Sequence, residues 1–215
     1  MKNLVIVGAG GYFLELFEYI TCDINNTRIE NVLVKGVLDD RSPEITLPTS
    51  YLGIIDDYAI DKDDIFLIAI GNVQHREIIF NKLKAKSASF FTYVHPSALV
   101  SPSAVLGEGT IVCPMSVINA RAIVAENVSI NVHASVGHEA KVGEHSVLSP
   151  YCALNGAASI GRKVFVGTRS TVFPTVSVGN DCIIDSHTAV RKSTEAQLLL
   201  SDRANFVSVK NRFLR

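Results

Sequence analysis

Every sixth residue from Val94 to Val190 is aliphatic: Val94, Val100, Leu106, Val112, Ile118, Val124, Ile130, Val136, Val142, Leu148, Leu154, Ile160, Val166, Val172, Val178, Ile184 and Val190. The run contains no insertion and no slip. The position four residues later is small almost throughout, as at Ala98, Ala104, Ala122, Ala134, Ala140, Cys152 and Ala158. Glycine recurs directly after the aliphatic residue, at Gly107, Gly137, Gly143, Gly161, Gly167 and Gly179. A fixed six-residue period is the sequence signature of a parallel β-helix. Three hexads close one triangular coil, with the aliphatic side chain inside and the small residue near a corner. One coil cannot bury its own apolar face, so stacking is compulsory. The run amounts to between about five and six coils, a prism about 27 Å tall at the usual strand spacing.

The rest of the composition sets limits. The chain has 215 residues, is 47% hydrophobic and 19% charged, and carries a formal net charge of −1. Those values describe a globular chain and argue against nucleic acid or an anionic membrane as the main partner. No apolar run reaches the roughly 18 residues of a membrane span, so none is expected. The N-terminus lacks a secretory pattern. The cysteines form no paired motif, and Cys152 and Cys182 occupy the small inward position of the hexad. A cytoplasmic protein with reduced thiols is the expectation.

Residues 2–7 (K-N-L-V-I-V) have buried-strand length, and Gly8-Ala9-Gly10-Gly11 leads from them into helical spacing from Tyr12 to Thr21. A strand, a glycine turn and a helix open a Rossmann-like unit. Such a turn is either a phosphate site at a helix N-terminus or simply a tight turn. It is a poor dinucleotide fingerprint, because Phe13 stands where the third glycine belongs. Val32–Leu38 reads as a second strand ending in Asp39-Asp40, which face either a ribose or base, or solvent. Ile65–Ile70 reads as a third strand closing in Gly71-Asn72. Helical spacing follows from Gln74 to Lys86, with Arg76 near its start, set to meet a phosphate or to be solvated. Phe90–Val94 reads as a last strand running into the prism. The organisation expected is an α/β Rossmann-like domain over 1–92, a parallel β-helix over 93–192 and a C-terminal extension over 193–215. In that extension Glu195–Leu200 reads as a helical turn, and Phe206, Val207, Val209 and Phe213 are available for packing.

An eighteen-residue coil says which side chains stack. His133, Tyr151, Arg169 and His187 fall in one outward column. His138, Gly156, Pro174 and Lys192 fall in another, so the step after His138 carries no side chain and leaves room for a substrate. His138 precedes Glu139, and imidazole is the side chain best suited to take a proton near neutral pH. A carboxylate fixes its tautomer if the turn brings the two together. The alternative is a surface histidine. The four prism histidines lack metal-ligand spacing, and no catalytic metal is expected. His75 and His95 read as structural.

With G-A-G-G, L-D-D, A-I-G-N and G-H-E set in one unbroken hexad array, residues 2–190 resemble the bacterial nucleotide-sugar N-acetyltransferases. These pair an N-terminal Rossmann-like domain with a left-handed β-helix, in a group that includes the sialic-acid O-acetyltransferase-like proteins. The resemblance is the warrant for the left hand. It implies a homotrimer with each site between adjacent prisms, acetyl-CoA as co-substrate, and an acceptor such as a nucleotide-linked 4-amino-4,6-dideoxyhexose destined for bacterial surface glycans such as lipopolysaccharide. Carried over, Gly10, Gly11 and Tyr12 line the diphosphate and sugar, with Tyr12 in place of the usual histidine. Asp39 and Asp40 contact the nucleoside, Gly71 the base or ribose region, and Asn131 stands near the reacting sugar. His138 matches the general base and Glu139 the residue that strengthens it. Val147, Thr168 and Ser186 fall along the cofactor's thioester and pantetheine.

The resemblance departs in two places. Val147 stands where many relatives have a histidine, and S-D-R-A-N follows the last coil in place of a G-V-P-A-K-like loop. Sugar O-acetylation, acetylation of serine or another small molecule, and a non-catalytic nucleotide-sugar-binding subunit remain as alternatives.

Overall fold

The computed structural model describes residues 1–43 and 45–202. The N-terminal sheet is parallel throughout and built from β1 (Lys2–Val7), β2 (Val32–Leu38), β3 (Asp64–Ile68) and β4 (Ser89–Phe90), in the order β2-β1-β3-β4. Helix α1 (Gly11–Asn25) joins β1 to β2, and α2 (Val73–Ala85) joins β3 to β4. Leu4 to Val7 are wholly buried, as expected for a central parallel strand covered on both faces. The single expected strand Phe90–Val94 is in fact two. Phe90 pairs with Phe66 in the N-terminal sheet, whereas Tyr93 and Val94 (β5) pair with Ile111 and Val112 of the prism. Phe91 and Thr92 carry the chain from one ladder to the other.

The prism is a left-handed parallel β-helix of two-residue strands on three faces. The docking face holds seven strands, from Tyr93–Val94 through Ser129–Ile130 and Val147–Leu148 to Leu199–Leu200. The second face holds six, from Leu99–Val100 to Ala189–Val190, and the third holds five, from Val105–Leu106 to Ser177–Val178. Aliphatic hexad residues from Val112 to Ile184 form one continuous core. Buried hydroxyls at the small position are satisfied by the next coil: Ser146 Oγ donates to Gly161 O at 3.0 Å and Ser170 Oγ to Asp185 O at 2.6 Å.

The corners have a conformation that the hexad pattern does not announce. Every sixth residue from Met115 to His187 has φ between 53° and 63°, and only two of these corners carry Asn or Asp, namely Asn127 and Asp181. A left-handed conformation costs an ordinary L-residue about 1–2 kcal/mol. Each such residue from Asn127 onward donates its N–H to a carbonyl of the coil before it, as His133 does to Pro114, Glu139 to Ala120 and Tyr151 to Val132. The turn is therefore fixed by the stack and not by local preference.

The ladder also continues past Val190. Thr194 bridges Val178, and Leu199 pairs with Ile183. Glu195–Leu200 thus ends a shortened coil and is not the expected helical turn, sixteen residues separating partners that elsewhere lie eighteen apart. Leu200 caps the apolar core. Phe206, Val207, Val209 and Phe213 lie outside the described residues.

Helix α2 fastens the two parts along the corner between the third and docking faces. Arg76 is fully buried there and reaches neither phosphate nor solvent. Its guanidinium donates to Ile68 O (2.7 Å), Ile70 O (3.0 Å), Asn127 O (2.8 Å) and Asn127 Oδ1 (2.8 Å). Burial without a carboxylate partner pulls it down to about 10. Arginine can only donate, so it fixes the Asn127 amide with oxygen toward Arg76 and nitrogen toward His145 Nδ1, 2.9 Å away. His145 must accept there and is neutral, and burial depresses its pKa. Outside this knot, Glu77 pairs with Arg162 (2.6 Å) and Lys163 (2.8 Å), and Lys84 pairs with Glu108.

Two outcomes follow from this knot. Arg76→Ala strips donors from several buried acceptors and is expected to lower stability by about 3 kcal/mol, read from urea unfolding at fixed protein concentration. For His145, the unfolded chain holds the extra proton between the unfolded value near 6.5 and the lower folded one. Stability is therefore full above about pH 7.5 and falls as pH drops through that window. Burial pushes His95 the same way, so His145→Gln is expected to reduce the loss between about pH 7.5 and 5 without abolishing it, as followed by thermal melts across pH.

Candidate active site

Two features stand apart in the chain. The first is a cavity of about 640 Å³ at the C-terminal ends of β1, β2 and β3. Parallel α/β sheets bind ligands at this end. Its floor is Gly8–Tyr12, Asp39 and Asp40 form one side, and Ala69–Gly71 the other. Ile45, Ile55, Ile78 and Ile79 make an apolar wall, with Arg41, His75 and Lys82 at the edge. Helix α1 starts at Gly11, after Gly10 at its N-cap, with no side-chain cap and no acidic residue in its first turn, which leaves its amide dipole open to an anion. A Cβ added at Gly10, Gly11 or Gly71 would meet nothing within 4 Å, so packing within the chain does not demand glycine there.

Several sequence-predicted residues line this cavity with part of their polar capacity already used. Asp39 accepts from the Ala9 N–H at 2.7 Å and the Arg41 N–H at 2.8 Å, so it ties the glycine turn to the loop after β2. Asp40 accepts from Ile55 N–H at 2.9 Å. Tyr12 lines the cavity, but its hydroxyl is turned into the domain junction, 2.6 Å from Ser129 Oγ and 3.7 Å from Cys113 Sγ. Burial pushes this phenol well above its usual range. Asn131 stands on the prism, where its amide donates to Leu148 O at 2.9 Å and braces the ladder. His75, read as structural from sequence, in fact lines the cavity, and its N–H is held by Asn72 Oδ1 at 2.9 Å.

The second feature is the corner between the second and third faces. Glu139 has φ 60°, which swings its side chain back beside the preceding residue. Its Oε2 lies 3.2 Å from His138 Nδ1. The imidazole, 67% exposed, lies over the next coil, where a Cβ on Gly156 would meet its Nε2 first and come within 2.6 Å of its Cε1. The glycine step thus seats the ring and does not leave the empty space that the column arithmetic implied. Arg121, one coil before Glu139, donates from Nη2 to Glu139 Oε1 at 2.8 Å. Sequence reasoning missed Arg121, although counting back eighteen from Glu139 finds it.

The remaining candidates are elsewhere. Val147 is buried on the docking face. Thr168 and Ser186 stand one coil apart at the corner between the docking and second faces, where Thr168 O accepts from the His187 N–H. That corner carries the predicted outward column as a stack: His133 lies parallel to Tyr151 at 4.6 Å, with Arg169 over the Tyr151 ring at 5.2 Å. Among the described residues no hydrogen bond, ion pair or ring contact joins the N-terminal domain to Arg121, His138 or Glu139. Among them, too, no cluster of His, Cys, Asp or Glu is arranged to hold a metal ion, and no helix is long and apolar enough to cross a membrane.

This arrangement has known counterparts. Residues 3–83 match the PglD N-terminal domain family. The chain is similar to a UDP-N-acetylbacillosamine N-acetyltransferase of Bacillus subtilis (strain 168), 37% identical over 117 residues, 52% of this chain and 51% of that protein. The match thus spans about half of that relative. Among solved structures, PerB from Caulobacter crescentus in complex with CoA and GDP-perosamine aligns with a TM-score of 0.79 at 28% identity, over 92% of this chain and 93% of that one. A point variant of perosamine N-acetyltransferase from the same organism, in complex with CoA and GDP-perosamine, gives 0.82 at 26% identity, over 97% and 98%. A region matching the PglD N-terminal domain family thus runs into an unbroken hexad prism, an architecture this chain shares over nearly its whole length with the two Caulobacter crescentus structures.

Proposed function

We propose that this chain is an acetyl-CoA-dependent N-acetyltransferase of a nucleotide-linked amino sugar, a 4-amino-4,6-dideoxyhexose, with His138 as general base. The observation that carries the reading is the His138–Glu139 pair, held together by the left-handed corner at Glu139 and seated on Gly156. Nδ1–H donates a hydrogen bond to Glu139 and keeps its proton, which leaves the Nε2 lone pair to take one. The sugar amine attacks the thioester carbonyl as Nε2 removes its proton. The C–N bond forms, the C–S bond breaks, and the departing thiolate takes the proton from His138. Both substrates react in one ternary complex, so the protein's main contribution is orientation.

The cavity over β1–β3 supplies the acceptor site: open glycine backbone and an uncapped helix start for the diphosphate, an isoleucine wall for the base. Gly10, Gly11, Tyr12, Asp39, Asp40 and Gly71 border it. This cavity is lined wholly by residues 8–82, whereas His138 stands on the corner away from the docking face. One chain therefore holds its cavity and its His138–Glu139 pair apart. A second copy completes both, and a homotrimer closes the arrangement. Exposed apolar side chains lie on the two faces that meet at this corner, one or two coils before His138: Leu99 on the second face and Val105 and Ile123 on the third, which supports a partner prism there. Asn131 stands on the prism with Val147, Thr168 and Ser186, the residues assigned to acetyl-CoA. The reading places the reaction in the cytoplasm, where acetyl-CoA and nucleotide sugars are made.

The test is acetyl transfer followed by mass spectrometry, with acetyl-CoA and a panel of UDP-, dTDP- and GDP-linked amino sugars. Transfer to an amine is expected, with His138→Ala lowering turnover by roughly 10²–10⁴-fold at an unchanged melting point. Transfer to hydroxyls alone would replace the amine by an alcohol acceptor, and failure with every acceptor would leave a nucleotide-sugar-binding subunit. Gly156→Ala pushes the imidazole off its seat and is expected to lower kcat by about 10²-fold, measured in the same assay with the fold checked by circular dichroism.

A further inference from the structure

We infer that Arg121 is a positioning residue for the proposed base, acting through Glu139 to hold His138 in the Nδ1–H tautomer. The inference rests on the reading of His138 as the base. Its ground is the order of contacts along one corner. Arg121 Nη2 is 2.8 Å from Glu139 Oε1, and Glu139 Oε2 is 3.2 Å from His138 Nδ1. Each carboxylate oxygen therefore has one partner, and the plane of the carboxylate is set by two contacts instead of one. With Oε1 held by a group that can only donate, Oε2 remains an acceptor aimed at the ring. The Nδ1 proton is then retained and Nε2 stays free.

The backbone at both ends of the relay is fixed. Arg121 and Glu139 both occupy left-handed corners, φ 57° and 60°. The Arg121 N–H donates to Ser103 Oγ at 3.1 Å, and the Glu139 N–H to Ala120 O at 2.9 Å. Two side chains on successive coils of a corner are thus stacked by the fold itself. The two side chains are 71% and 46% exposed, and exposed ion pairs contribute little to stability. Arg121 is accordingly read as orienting a carboxylate and not as holding the prism together. The rival role for an exposed arginine at this corner is direct contact with an anionic substrate group.

Steady-state kinetics of Arg121→Gln, Glu139→Gln, the double variant and Arg121→Lys separate these roles. The relay requires kcat of Arg121→Gln to fall about threefold to tenfold, with KM for both substrates changed by less than about twofold. It requires the double variant to be no slower than Glu139→Gln alone, because Arg121 has nothing to act through once Glu139 is lost. Arg121→Lys restores at least part of the rate. An unchanged kcat in Arg121→Gln, or a raised KM with losses that add in the double variant, overturns the inference. ¹⁵N NMR of the His138 ring gives a readout free of turnover: one Nδ1–H tautomer in the wild type and a mixture in Arg121→Gln, with identical spectra counting against the relay. If the wild-type protein acetylates nothing, the functional reading falls while the NMR comparison still decides whether the relay exists.

Discussion

The corner hydrogen bond from one coil to the coil before it is the interaction on which the prism depends. Each left-handed corner residue is locally unfavourable by about 1–2 kcal/mol, and its N–H donating to the preceding coil contributes on the order of 1 kcal/mol. Neither value suffices alone. The corner is tenable because the same turn lets an aliphatic residue enter the core on each side of it. Packing and corner geometry therefore hold together or fail together, and the hexad run contains no insertion from Val94 to Val190. The same geometry sends every corner side chain outward, above its counterpart one coil on. The results are a ring stack at His133 and Tyr151, an ion pair at Lys163 and Asp181, and the Arg121–Glu139 contact. Inner positions are committed to volume, so chemistry on this prism is placed at corners.

The second constraint is the junction. Arg76 is a buried cation whose partners in the knot are carbonyls and one amide oxygen. Such a group is costly to desolvate, and its retention follows from what it orders: the end of β3, the start of α2 and the corner at Asn127. With Tyr12 bonded to Ser129 and Tyr93 to Asp23 at 2.8 Å, the N-terminal domain is held as one block with the docking face. That rigidity fixes where the cavity opens, and so fixes that the His138 corner of the same chain lies elsewhere.

What the sequence made legible divides along physical lines. The hexads, the three faces and the Rossmann-like opening rest on periodicity and burial, and these were readable. So was the pairing of His138 with Glu139, although its cause was not, because a left-handed glutamate has no sequence mark of the kind glycine gives. The role of Gly156 was inverted for the same reason: counting positions shows which residues stack but not which way a ring lies. Arg76 reads from sequence as a helix residue that meets a phosphate or solvent, since its burial depends on Asn127, 51 residues away. The last coil was hidden by its shortening to sixteen residues, which broke the period while keeping Leu200 in the core.

The His138 corner as it stands in one chain is too wet for efficient chemistry. An exposed imidazole beside an exposed carboxylate is screened by water, and the attraction between them is weak. A second surface that covers the corner would exclude water and raise the effect of every charge already placed there. Leu99, Val105 and Ile123 offer that surface apolar ground on both sides of the corner. The cavity over β1–β3 makes the same demand from the other direction, because His138 of its own chain lies away from it. Under the proposed function assembly and catalysis become one requirement: the contact that buries the apolar side chains is then also the one that brings an acceptor to His138 and excludes water from the Arg121–Glu139 contact behind it.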